Sequence, residues 1–163
     1  MKKVAIIMGS DSDLQAMRGA MDTLSALQIP YAVRILSAHR TPEAAAAFAR
    51  SAKDEGYGVI IAAAGKAAHL AGAMAANTIL PVVGIPMKSS TLDGLDALLS
   101  TVQMPSGIPV ATVAIDGAQN AALLAAQIIA VEDKALSDKL KAMRREASAK
   151  VLEKDKAIAE QLK

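Results

Sequence analysis

Ser37-Ala38-His39-Arg40-Thr41-Pro42 places an imidazole beside a guanidinium between two apolar segments. An imidazole titrates near ~6.5, so His39 can give and take a proton close to neutral pH. The planar fork of Arg40 suits phosphate. A solvated surface pair is the competing explanation. Two other turns carry comparable groups. Gly9-Ser10-Asp11-Ser12-Asp13 offers hydroxyls and backbone donors for an anion, and carboxylates for ribose hydroxyls. It is neither a GxGxxG turn nor a P-loop, and ordinary helix capping explains the same residue types. Ala64-Gly65-Lys66-Ala67-Ala68-His69-Leu70 combines small residues, which admit a ligand close to backbone, with a cation and a second imidazole. Lys66 can meet an anionic ligand or face water; His69 can be catalytic or a structural histidine.

These turns need strands and helices to position them. Val4–Met8, Tyr31–Leu36, Val59–Ala63, Pro81–Pro86 and Val110–Ile115 read as short buried strands. Helical patterns lie between them: Leu14 to Leu27, Thr41 to Glu55, Ala67 to Asn77, Leu92 to Val102 and Asn120 to Val131. Thr41 is placed to cap the second helix and Pro42 to open it. The alternation predicts an α/β fold with a parallel sheet between two helical layers. Five strands suggest a single-domain flavodoxin-like sandwich, in the order 2-1-3-4-5. The ligand site is then expected beyond the carboxyl ends of the strands, at the loops after strands 1, 2 and 3.

Composition narrows the function. The 163 residues carry 18 basic and 16 acidic side chains, too even a balance for a nucleic-acid partner. With 2% aromatics there is no stacking platform for single strands. There is no Cys and there are two His, which excludes thiolate chemistry and multi-His metal sites. No apolar run suits a membrane span or a signal peptide, so the expectation is a soluble, cytoplasmic protein. Residues 1–131 read as the α/β core. Residues 132–163 hold 9 basic and 7 acidic residues, with an apolar stripe through Leu136, Leu140, Met143, Ala147, Val151, Ile158 and Leu162. A helix that long outruns a compact domain, so the tail reads as an arm packed on a neighbouring subunit.

Several segments together resemble one family. They are Met8–Asp13, Ser37–Pro42, Ala67–Leu70, Gly94–Ser100 with Val102–Pro105, and Asn120–Ile128. The family is the class I N5-carboxyaminoimidazole ribonucleotide mutases of de novo purine synthesis. The resemblance covers about Val4 to Val131. It implies migration of a carboxylate from the exocyclic nitrogen to ring carbon 4, without metal or organic cofactor, in a homo-octamer whose C-terminal helix reaches a neighbour. His39 is the expected acid and base of that reaction. By resemblance Ser10, Ser12, Ser37 and Arg40 go to the phosphate and Asp13 to the ribose. The small residues Ala64, Gly65, Ala67 and Ala68 are expected to form pocket wall, Lys66 is expected to contact substrate, and by resemblance His69 belongs to the pocket.

The chain departs from the family pattern in four places. Gly65-Lys66 replaces a glycine pair, Ala63 and Leu14 replace a usual Gly and Trp, and Asp116–Gln119 is a shortened connection. Three rivals remain. One is the class II carboxylase that uses free carbon dioxide, whose second loop resembles Ser-Ala-His-Lys; Arg40 and His69 favour class I over it. The others are a related carboxylase-like domain acting on another aromatic nucleotide, which usually sits in a longer chain, and a non-catalytic nucleotide-binding module in which His39 is dispensable.

Overall fold

The computed structural model describes residues 1–90 and 92–162. Five parallel strands form one sheet in the order β2-β1-β3-β4-β5: β1 Lys3–Met8, β2 Tyr31–Ile35, β3 Tyr57–Gly65, β4 Val82–Met87 and β5 Ala111–Thr112. This is the expected flavodoxin-like order. Side chains alternate across the sheet. Val4, Ile6 and Met8 of β1 enter one core, while Ala5 and Ile7 enter the other. The first core is closed by α1 (Leu14–Ala26), α5 (Ala118–Ala130) and the start of α6 (Lys134–Gln161). The second is closed by α2 (Pro42–Ser51) and α3 (Leu70–Ala75). On that same face α4 (Leu95–Val102) packs on β4. The first core is built from buried aliphatic side chains, and the second adds the edge-to-face pair Phe48 and Tyr57 to an otherwise aliphatic set.

Several elements differ from expectation, each for a local reason. The fifth strand is two residues long rather than six. It lies at the sheet edge with β4 as its one neighbour, and Asp116 turns the chain away at φ 55°. Ladder bonding persists loosely past its end, from Val113 N–H to Gly84 C=O and from Asp116 N–H to Pro86 C=O. The third helix begins at Leu70, not Ala67. The fourth begins at Leu95, after a tight turn in which Asp93 (φ 51°) leaves helical geometry. Of the expected tail helix, Lys163 lies outside the described residues.

Gly84 lets α4 approach the sheet. A Cβ there would lie 2.5 Å from Thr101 Cγ2 and 2.9 Å from Val110 Cγ1. Thr101 is buried and bonded to Ala97 C=O, so it has little room to move. Gly84→Ala is therefore expected to cost about 1–3 kcal/mol of overpacking. Thermal unfolding would show this as a fall of several degrees; an unchanged melting temperature would mean that α4 shifts freely.

Among the described residues the tail is anchored through its first third. Asp133 caps α6 by accepting from Leu136 N–H (3.0 Å), and Leu136 is fully buried. Leu140 and Met143 pack partly on the core, and Lys139 donates to Leu27 C=O and to the Gln28 side chain. Beyond them Val151, Leu152, Ile158 and Leu162 are exposed. Among the described residues no helix is long and apolar enough to cross a membrane.

Candidate functional site

All strands point the same way, so their carboxyl ends share one edge. There the loops after β1, β2, β3 and β4 enclose a cavity of about 490 Å³, the size of a small nucleotide site. It lies where strand order reverses between β1 and β3. Ser10, Ser12, Asp13, Ser37, His39, Arg40, Ala64, Gly65, Lys66 and His69 all line it. Ala67 lines it too, but Ala68, expected in the same wall, is buried in the core and does not.

The second loop is shaped by its own hydrogen bonds. Leu36 N–H extends the ladder to Met8 C=O, and Leu36 is buried. Ser37 N–H then donates to Thr41 Oγ1 (2.9 Å), and the Thr41 hydroxyl donates back to Ser37 C=O (3.2 Å). Thr41 consequently makes no side-chain bond to the helix, contrary to its expected capping role; its hydroxyl closes the loop instead. Pro42 does open the helix. Arg40 donates from its amide to Ser37 Oγ (3.1 Å) and from Nη2 to Gly9 C=O (2.7 Å). This carries its guanidinium back over the end of β1.

The third loop supplies the facing wall. Because α3 starts at Leu70, His69 stands just before the helix rather than within it, with its side chain unused for capping. Its Nδ1 lies 2.8 Å from Nε2 of His39, with the rings nearly perpendicular. Such a bond needs one N–H and one bare nitrogen. It therefore survives when one ring of the pair is protonated and is lost when both are. His39 can take up a single proton while His69 keeps it oriented.

The first loop answers the capping question by division of labour. Ser10 Oγ accepts from Ser12 N–H (3.3 Å), capping the turn Asp11–Asp13. Asp13 makes no cap bond and lines the cavity. Burial pushes its carboxyl above the usual range, and the nearby Asp116 and Asp11 add to this; hydrogen bonds from the Ser10 backbone and the Ser12 side chain pull the other way. Among the described residues that line the cavity Asp13 is the one carboxylate, and it suits hydroxyls, while the Ser10 and Ser12 side chains beside it remain open to an anion.

Sequence reading missed one side of the cavity. Met87, the last residue of β4, and Lys88 and Ser89 just past it also line it. Their position at the strand's carboxyl end was the available signal. Asp116 fixes this segment, since its Oδ1 accepts from Lys88 N–H (2.8 Å). Among the described residues no cluster of three or more His, Cys, Asp or Glu could hold a metal ion.

A family model described as AIR carboxylase matches residues 3–150. The chain belongs to the AIR carboxylase family. It is 54% identical over 157 residues to the N5-carboxyaminoimidazole ribonucleotide mutase of Pyrococcus horikoshii, covering 96% of this chain and 89% of that one. It is 52% identical over 153 residues to the Escherichia coli K12 protein of the same name, covering 93% and 90%. A solved structure, the PurE protein of Treponema denticola, superposes with a TM-score of 0.84 at 33% identity, covering 94% and 96% of the two chains. AIR carboxylase family membership thus extends from sequence to the whole sandwich.

Proposed function

We propose that this chain converts N5-carboxyaminoimidazole ribonucleotide to 4-carboxy-5-aminoimidazole ribonucleotide in purine synthesis. The observation that carries this reading is the His39–His69 pair, held at 2.8 Å inside a cavity shared with Arg40. The reaction breaks the bond between the exocyclic nitrogen and its carboxylate, releasing carbon dioxide and leaving an amine that takes a proton from His39. Carbon 4 then attacks the same carbon dioxide. Its hydrogen leaves to His39, which restores the aromatic ring and the starting protonation state. One imidazole serves both transfers and no proton is exchanged overall. The small wall of Ala64 and Gly65 leaves room for carbon dioxide beside carbon 4, so the second step is one of proximity.

The phosphate goes to Arg40, Ser37, Ser10 and Ser12, where a guanidinium and hydroxyls converge. Asp13 takes the ribose hydroxyls. We place the enzyme in the cytoplasm as a homo-octamer, with residues 1–131 as catalytic core and 132–163 as an arm on a neighbouring subunit. Support for the arm is the run of exposed apolar side chains from Val151 to Leu162. Removing residues 145–163 leaves Leu136, Leu140 and Met143 in place. Light scattering should then report a smaller assembly; an unchanged mass would make the distal helix a solvated extension.

The deciding assay compares two cuvettes by ultraviolet absorbance. One holds N5-carboxyaminoimidazole ribonucleotide, the other aminoimidazole ribonucleotide with bicarbonate. Fast product formation in the first alone is expected. Equal or faster formation in the second would make the chain a carboxylase, the name borne by a Vigna aconitifolia relative 57% identical over 128 residues, of which this chain covers 23%. Silence in both would point to a binding module.

A further inference from the structure

Lys66 has an unfavourable backbone and an uncommitted charge. Its φ of 56° lies in the left-handed region, which strains a side-chain-bearing residue and which glycine adopts freely. Three cations line the cavity: Arg40, Lys66 and Lys88. Arg40 is bonded to Gly9 C=O, and Lys88 Nζ lies 3.4 Å from the Asp93 carboxylate. Among the described residues the Lys66 ammonium has no hydrogen-bonding or ionic partner.

Its place in the sheet separates it from Arg40. Gly65 pairs with Met87, so Lys66 leaves the sheet at the junction of β3 and β4. The Arg40 guanidinium is drawn the other way, over β1. Three residues past Lys66 stands His69, whose ring meets His39. The substrate has two anionic groups, a phosphate and a carboxylate. The carboxylate migrates between atoms next to the proton-transferring imidazole.

We propose that Lys66 binds the migrating carboxylate in both substrate and product, while Arg40 holds the phosphate. This rests on the mutase reading above. A cation there stabilises the two bound carboxylates more than it stabilises neutral carbon dioxide. It tightens ground-state binding without aiding carboxylate loss. The lysine therefore tunes affinity and carries no proton.

Lys66→Gly tests this, and it is the substitution that backbone accepts most easily. By calorimetry, affinity for 4-carboxy-5-aminoimidazole ribonucleotide should fall about 10-fold, the size of one charge-assisted contact. Affinity for aminoimidazole ribonucleotide, which has the phosphate but no carboxylate, should hold within about twofold. KM should rise with kcat undiminished, and Lys66→Arg should recover part of the loss. Equal losses for both ligands would assign Lys66 to the ribose phosphate, and no loss for either would leave it facing water; each result overturns the proposal. If the wild type binds neither ligand, the mutase reading itself fails and takes this inference with it.

Discussion

His39→Asn should lower kcat by about 10²–10⁴-fold while nucleotide affinity changes little. Asparagine keeps a polar side chain of similar reach and can still hydrogen-bond His69 Nδ1. It cannot carry a proton from one step to the next. Without that carrier, the amine freed by decarboxylation must take its proton from water, and carbon 4 must lose its hydrogen to water. Both transfers occur while carbon dioxide can escape. The proposed phosphate contacts centre on Arg40, which is held by Gly9 C=O and not by the imidazole. Single-turnover kinetics with substrate, together with calorimetric titration of product, would separate the two effects. Loss of binding matching the loss of turnover would make His39 a binding residue. His69→Asn is the companion measurement. It removes the orienting partner but not the carrier, so its effect on kcat should be the smaller. The reverse order would exchange the two roles.

Strand order was legible because the buried strands were short apolar runs separated by helical periodicity, a pattern that admits few topologies. The same signal failed at the sheet edge. Val110–Ile115 reads as a strand, yet an edge strand with one neighbour has no second ladder to hold it, and Asp116 bends the chain away. At the start of α3 the alanines favour helix by composition. The left-handed turn at Lys66 and the tight bond from His69 N–H to Ala67 C=O delay it by three residues. That delay brings His69 within reach of His39.

The candidate site was legible to the extent that local motifs encode it. Ser37–Pro42 carries its chemistry and its turn in six consecutive residues, and the rule that ligands gather at carboxyl strand ends placed it beside the other two loops. What local motifs do not encode is contact over long sequence distance. The bond between His39 and His69, the reach of Arg40 to Gly9 and the grip of Asp116 on Lys88 depend on sheet register. Thr41 was misread for a related reason. A threonine before Pro42 has two competing acceptors and donors at hand, and only the closed loop decides which it uses.

Arg40→Ala should weaken ribonucleotide binding by about 10²-fold or more, because a guanidinium–phosphate pair supplies two charge-assisted hydrogen bonds of about 1.5–3 kcal/mol each. Of the five N–H donors on the guanidinium, one from Nη2 is held by Gly9 C=O at 2.7 Å, and Nε lies 3.5 Å from Ser37 Oγ. Arg40 lines the cavity, and those contacts already orient its guanidinium there. Less freedom is lost when phosphate arrives. The matching nucleoside, without phosphate, isolates this contribution: its affinity should change only about threefold. A larger change would mean that the bond to Gly9, by tying the second loop to the first, shapes the ribose site as well. Arg40→Lys discriminates further. An ammonium can reach either Gly9 C=O or the phosphate but cannot present parallel donors to both, so it should restore part of the nucleotide affinity and not all of it. Equal loss for nucleotide and nucleoside, unrelieved by lysine, would remove Arg40 from the phosphate and leave it a brace between loops.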